Sequence, residues 1–227
     1  MSTPYPPLNE LRGRIERACL AAGRPVSAVG LVAVSKTFDA RHVRRVADAG
    51  QRAFGENYLQ EALAKQSALA DLDLEWHFIG TLQSNKAREA ALHFDWVHGV
   101  DRLKLAQRLS SFAAARSRPL NVCIQVNISG EASKSGCAPE QVVSLCQSVH
   151  VLPGLRLRGL MAIPEPPADG GDPRAPFRQL RRSFEQARAQ GLPLDTISAG
   201  MSQDLEAAIA EGATLVRVGS ALFGARA

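Results

Sequence analysis

Leu31-Val32-Ala33-Val34-Ser35-Lys36-Thr37 is an apolar, partly β-branched run that ends in a lysine. A run of this kind reads as a strand buried on both faces. Similar runs start near Ala53, Glu75, Asp95, Asn121, Leu155, Leu194 and Thr214. Between them the apolar spacing switches to three and four. It predicts helices over Ala40–Ala49, Tyr58–Leu69, Ser84–His93, Arg102–Arg116, Pro139–Val149, Pro176–Gln190 and Gln203–Ala210. A further helix over Leu8–Ala22 precedes the first strand and is stopped by Gly23-Arg24-Pro25. Asp39, Ser84, Asp101 and Ser202 suit helix N-caps, and Gly50, Gly191 and Gly212 suit helix C-termini.

Strands alternating with helices in this number predict an α/β fold, a single (β/α)8 TIM barrel with an extra N-terminal helix. The whole chain, 1–227, is expected to form one domain, with residues 1–7 as a flexible lead. A doubly wound open sheet usually carries GxGxxG after its first strand, and this chain has none there. The proline- and glycine-rich insert from Pro164 to Pro176 reads as a mobile loop after the sixth strand.

Alternation within the strands assigns faces. In Asn121-Val122-Cys123-Ile124-Gln125-Val126-Asn127 the apolar set is expected to meet the helices and the polar set to point into the barrel. By the same parity Val32, Val34 and Lys36 share a side, and inward orientation stands Lys36 at the top of the barrel core.

Composition narrows the classes. The 227 residues are 45% apolar, enough for a large core without staples. The net charge is +5, carried mostly by arginines at helical spacing such as Arg41, Arg44 and Arg45. Aromatic content of 5% and the lack of a binding motif argue against nucleic acid, and the field favours a small anionic ligand. Cys19, Cys123, Cys137 and Cys146 form no CxxC pair and no metal-like spacing with histidine. No metal site is expected, and idle thiols fit a reducing, cytoplasmic setting. No signal-like leader or run of about 20 apolar residues points to secretion or a membrane span.

The tail holds the chemistry. Ser202 starts the helix after the seventh strand, and Gly219-Ser220 follows the eighth. In TIM barrels these two loops often bind phosphate through backbone N–H groups and hydroxyls. Arg217 shares parity with Leu215 and Gly219, so it points inward just below such an anion. A phosphate, an inward arginine and a lysine on the first strand are the parts of a pyridoxal 5′-phosphate (PLP) site, with Lys36 forming the Schiff base.

These residues lie within longer segments: Val32–Thr37, Phe54-Gly55-Glu56-Asn57-Tyr58, Trp76-His77-Phe78-Ile79-Gly80, Gln125–Ile128, Ser133-Lys134-Ser135-Gly136, Gly159–Pro164, Gly200–Asp204 and Val216–Gly219. Together, in order from about residue 8 to 226, they resemble the pyridoxal phosphate homeostasis (YggS-like) family, which looks like the N-terminal barrel of alanine racemase standing alone. The resemblance implies Lys36 as the Schiff-base lysine and Ser202, Gly219 and Ser220 as phosphate contacts. It also implies Arg217 at the pyridine nitrogen, with Asn57, His77, Asn127 and Met161 lining the pocket. Ala199 replaces a bulkier family residue and Ser220 a threonine; the serine keeps the hydroxyl.

An arginine only donates, so it would leave the pyridine nitrogen unprotonated and the ring a weak electron sink. Racemisation needs proton-moving groups on both faces of Cα, and Tyr5 and Tyr58 are the only tyrosines. The expectation is a monomeric, non-enzymatic PLP carrier acting in PLP homeostasis, with PLP-dependent apoenzymes as recipients. A PLP-dependent amino-acid racemase is the alternative. Lys134 is a candidate second contact for the aldehyde during transfer.

Overall fold

The computed structural model describes residues 4–129, 135–165 and 171–224. Its strands are β1 (Gly30–Val34), β2 (Ala53–Glu56), β3 (Glu75–Phe78), β4 (Trp96–Val100), β5 (Leu120–Gln125), β6 (Leu155–Met161), β7 (Thr196–Ser198) and β8 (Leu215–Val218). They close in sequence order into a parallel barrel, with β8 pairing back onto β1 through Val32 opposite Arg217.

The helices are α1 (Pro6–Ala21), α2 (Ala40–Asp48), α3 (Leu59–Ala68), α4 (Ala87–His93), α5 (Leu103–Ala113), α6 (Val142–His150), α7 (Ala175–Ala189), α8 (Leu205–Ala210) and α9 (Ser220–Phe223). The longer helices bury apolar stripes: α2 uses Val43 with Val46 and Ala47, three and four residues on. Such stripes meet outward strand residues such as Ala33, Val122 and Ile124 in the main core. Each fully buried Val or Leu there contributes roughly 1.5–3 kcal/mol. The expected (β/α)8 barrel with an added N-terminal helix is therefore what forms. That helix begins at Pro6, so Pro6 and Pro7 of the expected flexible lead make its first turn.

The predicted inward face holds for Cys123. Cys123 points inward and packs with Trp96, Met161 and Leu215 in a separate small cluster inside the barrel. Burial pushes its thiol up to about 12, which keeps it inert. All four cysteines are buried and unpaired.

The caps divide. Asp39 accepts the His42 N–H at 3.1 Å and caps α2. Ser84 opens a short 3-10 turn ahead of α4, and Asp101 lies two residues before the start of α5, where it accepts from Arg102. Ser202 does not cap α8, which starts only at Leu205; its hydroxyl meets Ser220 and the Ala221 N–H instead. Gly50, Gly191 and Gly212 do follow helices, with φ of 92°, 83° and 98°. Strand seven starts at Thr196 rather than Leu194 because a tight Leu194 N–H to Leu192 carbonyl turn occupies the approach.

α1 lies against α8 and α9. Arg14 reaches from it to Glu206 and donates to the Ser202 carbonyl at 3.0 Å. The added helix thus braces the loop that follows β7. Among the described residues no helix is long and apolar enough to cross a membrane, and no cluster of metal-ligating side chains occurs.

Candidate functional site

Inward side chains at the C-terminal ends of the strands, together with residues of α1, α7 and α8, line a cavity of about 1150 Å³. This is the end where βα loops build sites in TIM barrels. Lys36, Asn57, Ser202, Arg217, Gly219 and Ser220 all line it. Val34 and Ile79, both nearly buried, give it apolar walls.

Each polar group has a structural origin. Lys36 follows Val34 by two residues and inherits its inward parity. The Asn57 Oδ1 is buried and has no protein partner, so this oxygen is ready for a ligand donor. Ser220 donates to Ser202 across the ends of two strands, Oγ to Oγ at 3.0 Å. A Cβ at Gly219 would come within 3.0 Å of the Val34 carbonyl, so glycine lets β8 close tightly on β1 there.

Arg217 is 3% exposed. It donates to Ser198 Oγ at 2.7 Å and to the Ala162 carbonyl at 2.9 Å. Burial lowers its pKa to about 10, against the raising influence of Asp204. It therefore stays cationic near neutral pH.

His77 and Met161 lie deeper. Both are fully buried and neither reaches the cavity wall; Met161 belongs to the cluster under it. Asn127, half-buried just past β5, donates its backbone N–H to the Cys137 carbonyl at 2.9 Å and is likewise off the wall. Lys134 lies outside the described residues, as do residues 166–170 of the proline-rich insert.

His77 has a different setting. Its Nε2 lies 2.7 Å from Glu75 Oε1, and its Nδ1 lies 2.9 Å from His98 Nε2. His98 Nδ1 lies 2.8 Å from Ser198 Oγ, which also accepts from Arg217. His77 stacks on Trp96 at 5.3 Å between centroids. One proton assignment satisfies the whole line with both rings neutral: Arg217 to Ser198, Ser198 to His98, His98 to His77, and His77 to the Glu75 carboxylate. Sequence parity contains the signal for His98 and Ser198, which share their strands' inward faces with Trp96 and Thr196. Neither stands out as a motif.

Burial, with repulsion from His77 whenever that ring is protonated and from the Arg217 guanidinium, holds the His98 pKa well below its ordinary value. The unfolded chain then binds a proton below pH about 6.5 that the folded protein refuses. Stability should fall as pH drops through that range, by up to about 1.4 kcal/mol per pH unit. His98→Gln should flatten that part of the profile. Urea midpoints at neutral and mildly acidic pH check this; parallel slopes for the two proteins would contradict it.

Comparison with known proteins places the chain in a family. The sequence pattern of the alanine racemase N-terminal domain family matches residues 8–227. A Pseudomonas aeruginosa protein named pyridoxal phosphate homeostasis protein is 61% identical, covering 100% of this chain and 97% of its own. The chain belongs to the pyridoxal phosphate homeostasis protein family. An Escherichia coli member of that name is 48% identical, covering 96% of this chain and 95% of its own. The solved structure of PipY from Synechococcus elongatus, which has PLP bound, is 42% identical with a TM-score of 0.81. It covers 92% of this chain and 100% of PipY. Alanine racemase from Corynebacterium glutamicum shares the fold at a TM-score of 0.66 and 17% identity, over 95% of this chain and 60% of the racemase.

Proposed function

We propose that this chain holds pyridoxal 5′-phosphate as a reversible Schiff base on Lys36 and buffers or hands on the vitamer, with little or no turnover. The observation that carries the reading is the sharing of one cavity by Lys36, Arg217 and the Ser202–Ser220 hydroxyl pair. These match an aldehyde, a pyridine nitrogen and a phosphate. The unpartnered Asn57 oxygen and the Val34 and Ile79 walls suit a flat, polar-edged ring. The PLP bound in PipY and the names of the relatives support the same ligand.

When bound, PLP supplies an aldehyde and an electron-withdrawing ring. Lys36 would hold PLP through its amine on the aldehyde, with loss of water, and hydrolysis would release the cofactor to a recipient apoenzyme. Arg217 can only donate, so at the ring nitrogen it would leave that atom unprotonated and the sink weak. No tyrosine, histidine or cysteine lies among the described residues that line the cavity; beside Lys36 its candidate proton-moving groups are the carboxylates Glu165, Asp204 and Glu206. Tyr5 instead donates to the Leu222 carbonyl, and both His77 nitrogens are taken. The reading extends to a cytoplasmic monomer that serves PLP-dependent enzymes.

The test is reconstitution with PLP. Wild type should show a visible imine band, lose it on borohydride treatment, and carry the reduced adduct on Lys36. Lys36→Ala should show neither band nor adduct. A wild type without the band, or an adduct on another lysine, would overturn the assignment. Racemisation of alanine or serine at about 1–1000 per second would overturn the absence of turnover and favour the racemase reading.

A further inference from the structure

We propose that the ion cluster Glu56–Lys65–Glu61 positions Lys36 by holding its turn in a conformation the local sequence resists. The inference rests on the reading of Lys36 as the imine-forming residue, and it concerns how that lysine is presented.

The Phe38 N–H donates to the Ser35 carbonyl at 3.1 Å, so Ser35–Phe38 is a β-turn with Lys36 at its second position. Thr37, at the third, has φ of 71° and is the only non-glycine residue with positive φ among those described. That is the sign pattern of a type II turn, whose third position favours glycine. A β-branched residue is strained there, and such strain lasts only where surrounding contacts over-determine the backbone.

The contacts are present on both sides of Lys36. Lys65 is 4% exposed on α3. Its Nζ donates to the Ser35 carbonyl, to Glu56 and to Glu61 at 2.7, 2.7 and 2.5 Å. Ser35 Oγ donates to Glu56 at 2.6 Å. The Thr37 N–H donates to Glu61 Oε1 at 2.6 Å. Residues 35 and 37 are thus each tied to the cluster by charge-assisted bonds. Glu56 Oε2 is buried without a partner, which costs free energy. A simpler structural role, pinning α3 to the barrel, would not need the Thr37 N–H.

The decisive variants are Glu61→Ala, which removes the acceptor for Thr37 and leaves Lys65 paired with Glu56, and Glu61→Ala with Thr37→Gly, which removes the strain as well. Hydrogen exchange of the 35–38 segment is read in PLP-free protein, and the imine formation rate is read on adding PLP. Glu61→Ala should speed exchange in the segment and slow imine formation about tenfold, the loss of one charge-assisted bond. Adding Thr37→Gly should recover most of the rate, because glycine adopts positive φ without penalty. Glu61→Gln, which keeps an acceptor oxygen, should fall between Glu61→Ala and wild type. Unchanged exchange and rate in Glu61→Ala would overturn the proposal. So would a slowed rate that Thr37→Gly does not recover, since that marks general loosening of α3. If wild type forms no adduct on Lys36, the functional reading fails, and exchange in the PLP-free protein still decides whether the cluster holds the turn.

Discussion

Arg217→Leu is expected to weaken PLP binding about 100-fold while the protein remains folded. The leucine is buried in place of a guanidinium that lines the cavity at 3% exposure. One hydrogen bond involving a charged group is worth about 1.5–3 kcal/mol, and each 1.4 kcal/mol is tenfold in affinity. Two other donors of Arg217 hold Ser198 and the Ala162 carbonyl, so the loss also loosens the strand ends beside the ring. Lysine is a poor replacement, because a point charge cannot serve Ser198, the carbonyl and a ring nitrogen in a fixed fork. Titration of PLP into both proteins checks this. An affinity within about threefold of wild type would remove Arg217 from the ligand's surroundings.

Gly159→Ala is expected to destroy the fold, at a cost above about 4 kcal/mol out of a typical total of 5–15. An added Cβ would sit 1.7 Å from the Thr196 carbonyl oxygen and 2.7 Å from its carbon. Both are backbone atoms of the paired strand, Gly159 being in register with Thr196. No rotamer change can relieve the clash, so β6 and β7 must part. Ser198, two residues along β7, would then leave Arg217 and His98. Gly13→Ala is the control: its methyl would meet only the flexible end of Arg17, at 3.3 Å. Soluble yield and urea midpoints decide the case. A near-wild-type midpoint for Gly159→Ala would show that the strands can separate there at little cost.

The two predictions mark different depths of legibility. Arg217 is readable from the chain, because its parity with Leu215 and Gly219 puts it on the inner face once β8 is recognised. Gly159 is not: nothing in Arg158-Gly159-Leu160 says that a neighbouring backbone, 37 residues on, comes within contact of an absent side chain.

The same division runs through the site. The sequence by itself determined the order of strands and helices, which face of β1, β5 and β8 points inward, and so the meeting of Lys36, Arg217, Ser202 and Ser220. These are local properties, since alternation and helical period are carried by neighbouring residues. Depth along the barrel axis belongs to the closed sheet, because strand tilt and stagger set it jointly for all the strands. That is why His77 and Met161, with the right inward faces, sit below the cavity, and why His77 meets His98 instead of a ligand. It is also why Lys65, placed on α3 by a pattern that says only "helix", ends against the carbonyl of Ser35, 30 residues away. Tertiary structure alone decided what stands beneath the arginine and what holds the lysine, because those contacts join elements whose separation only closure of the barrel fixes.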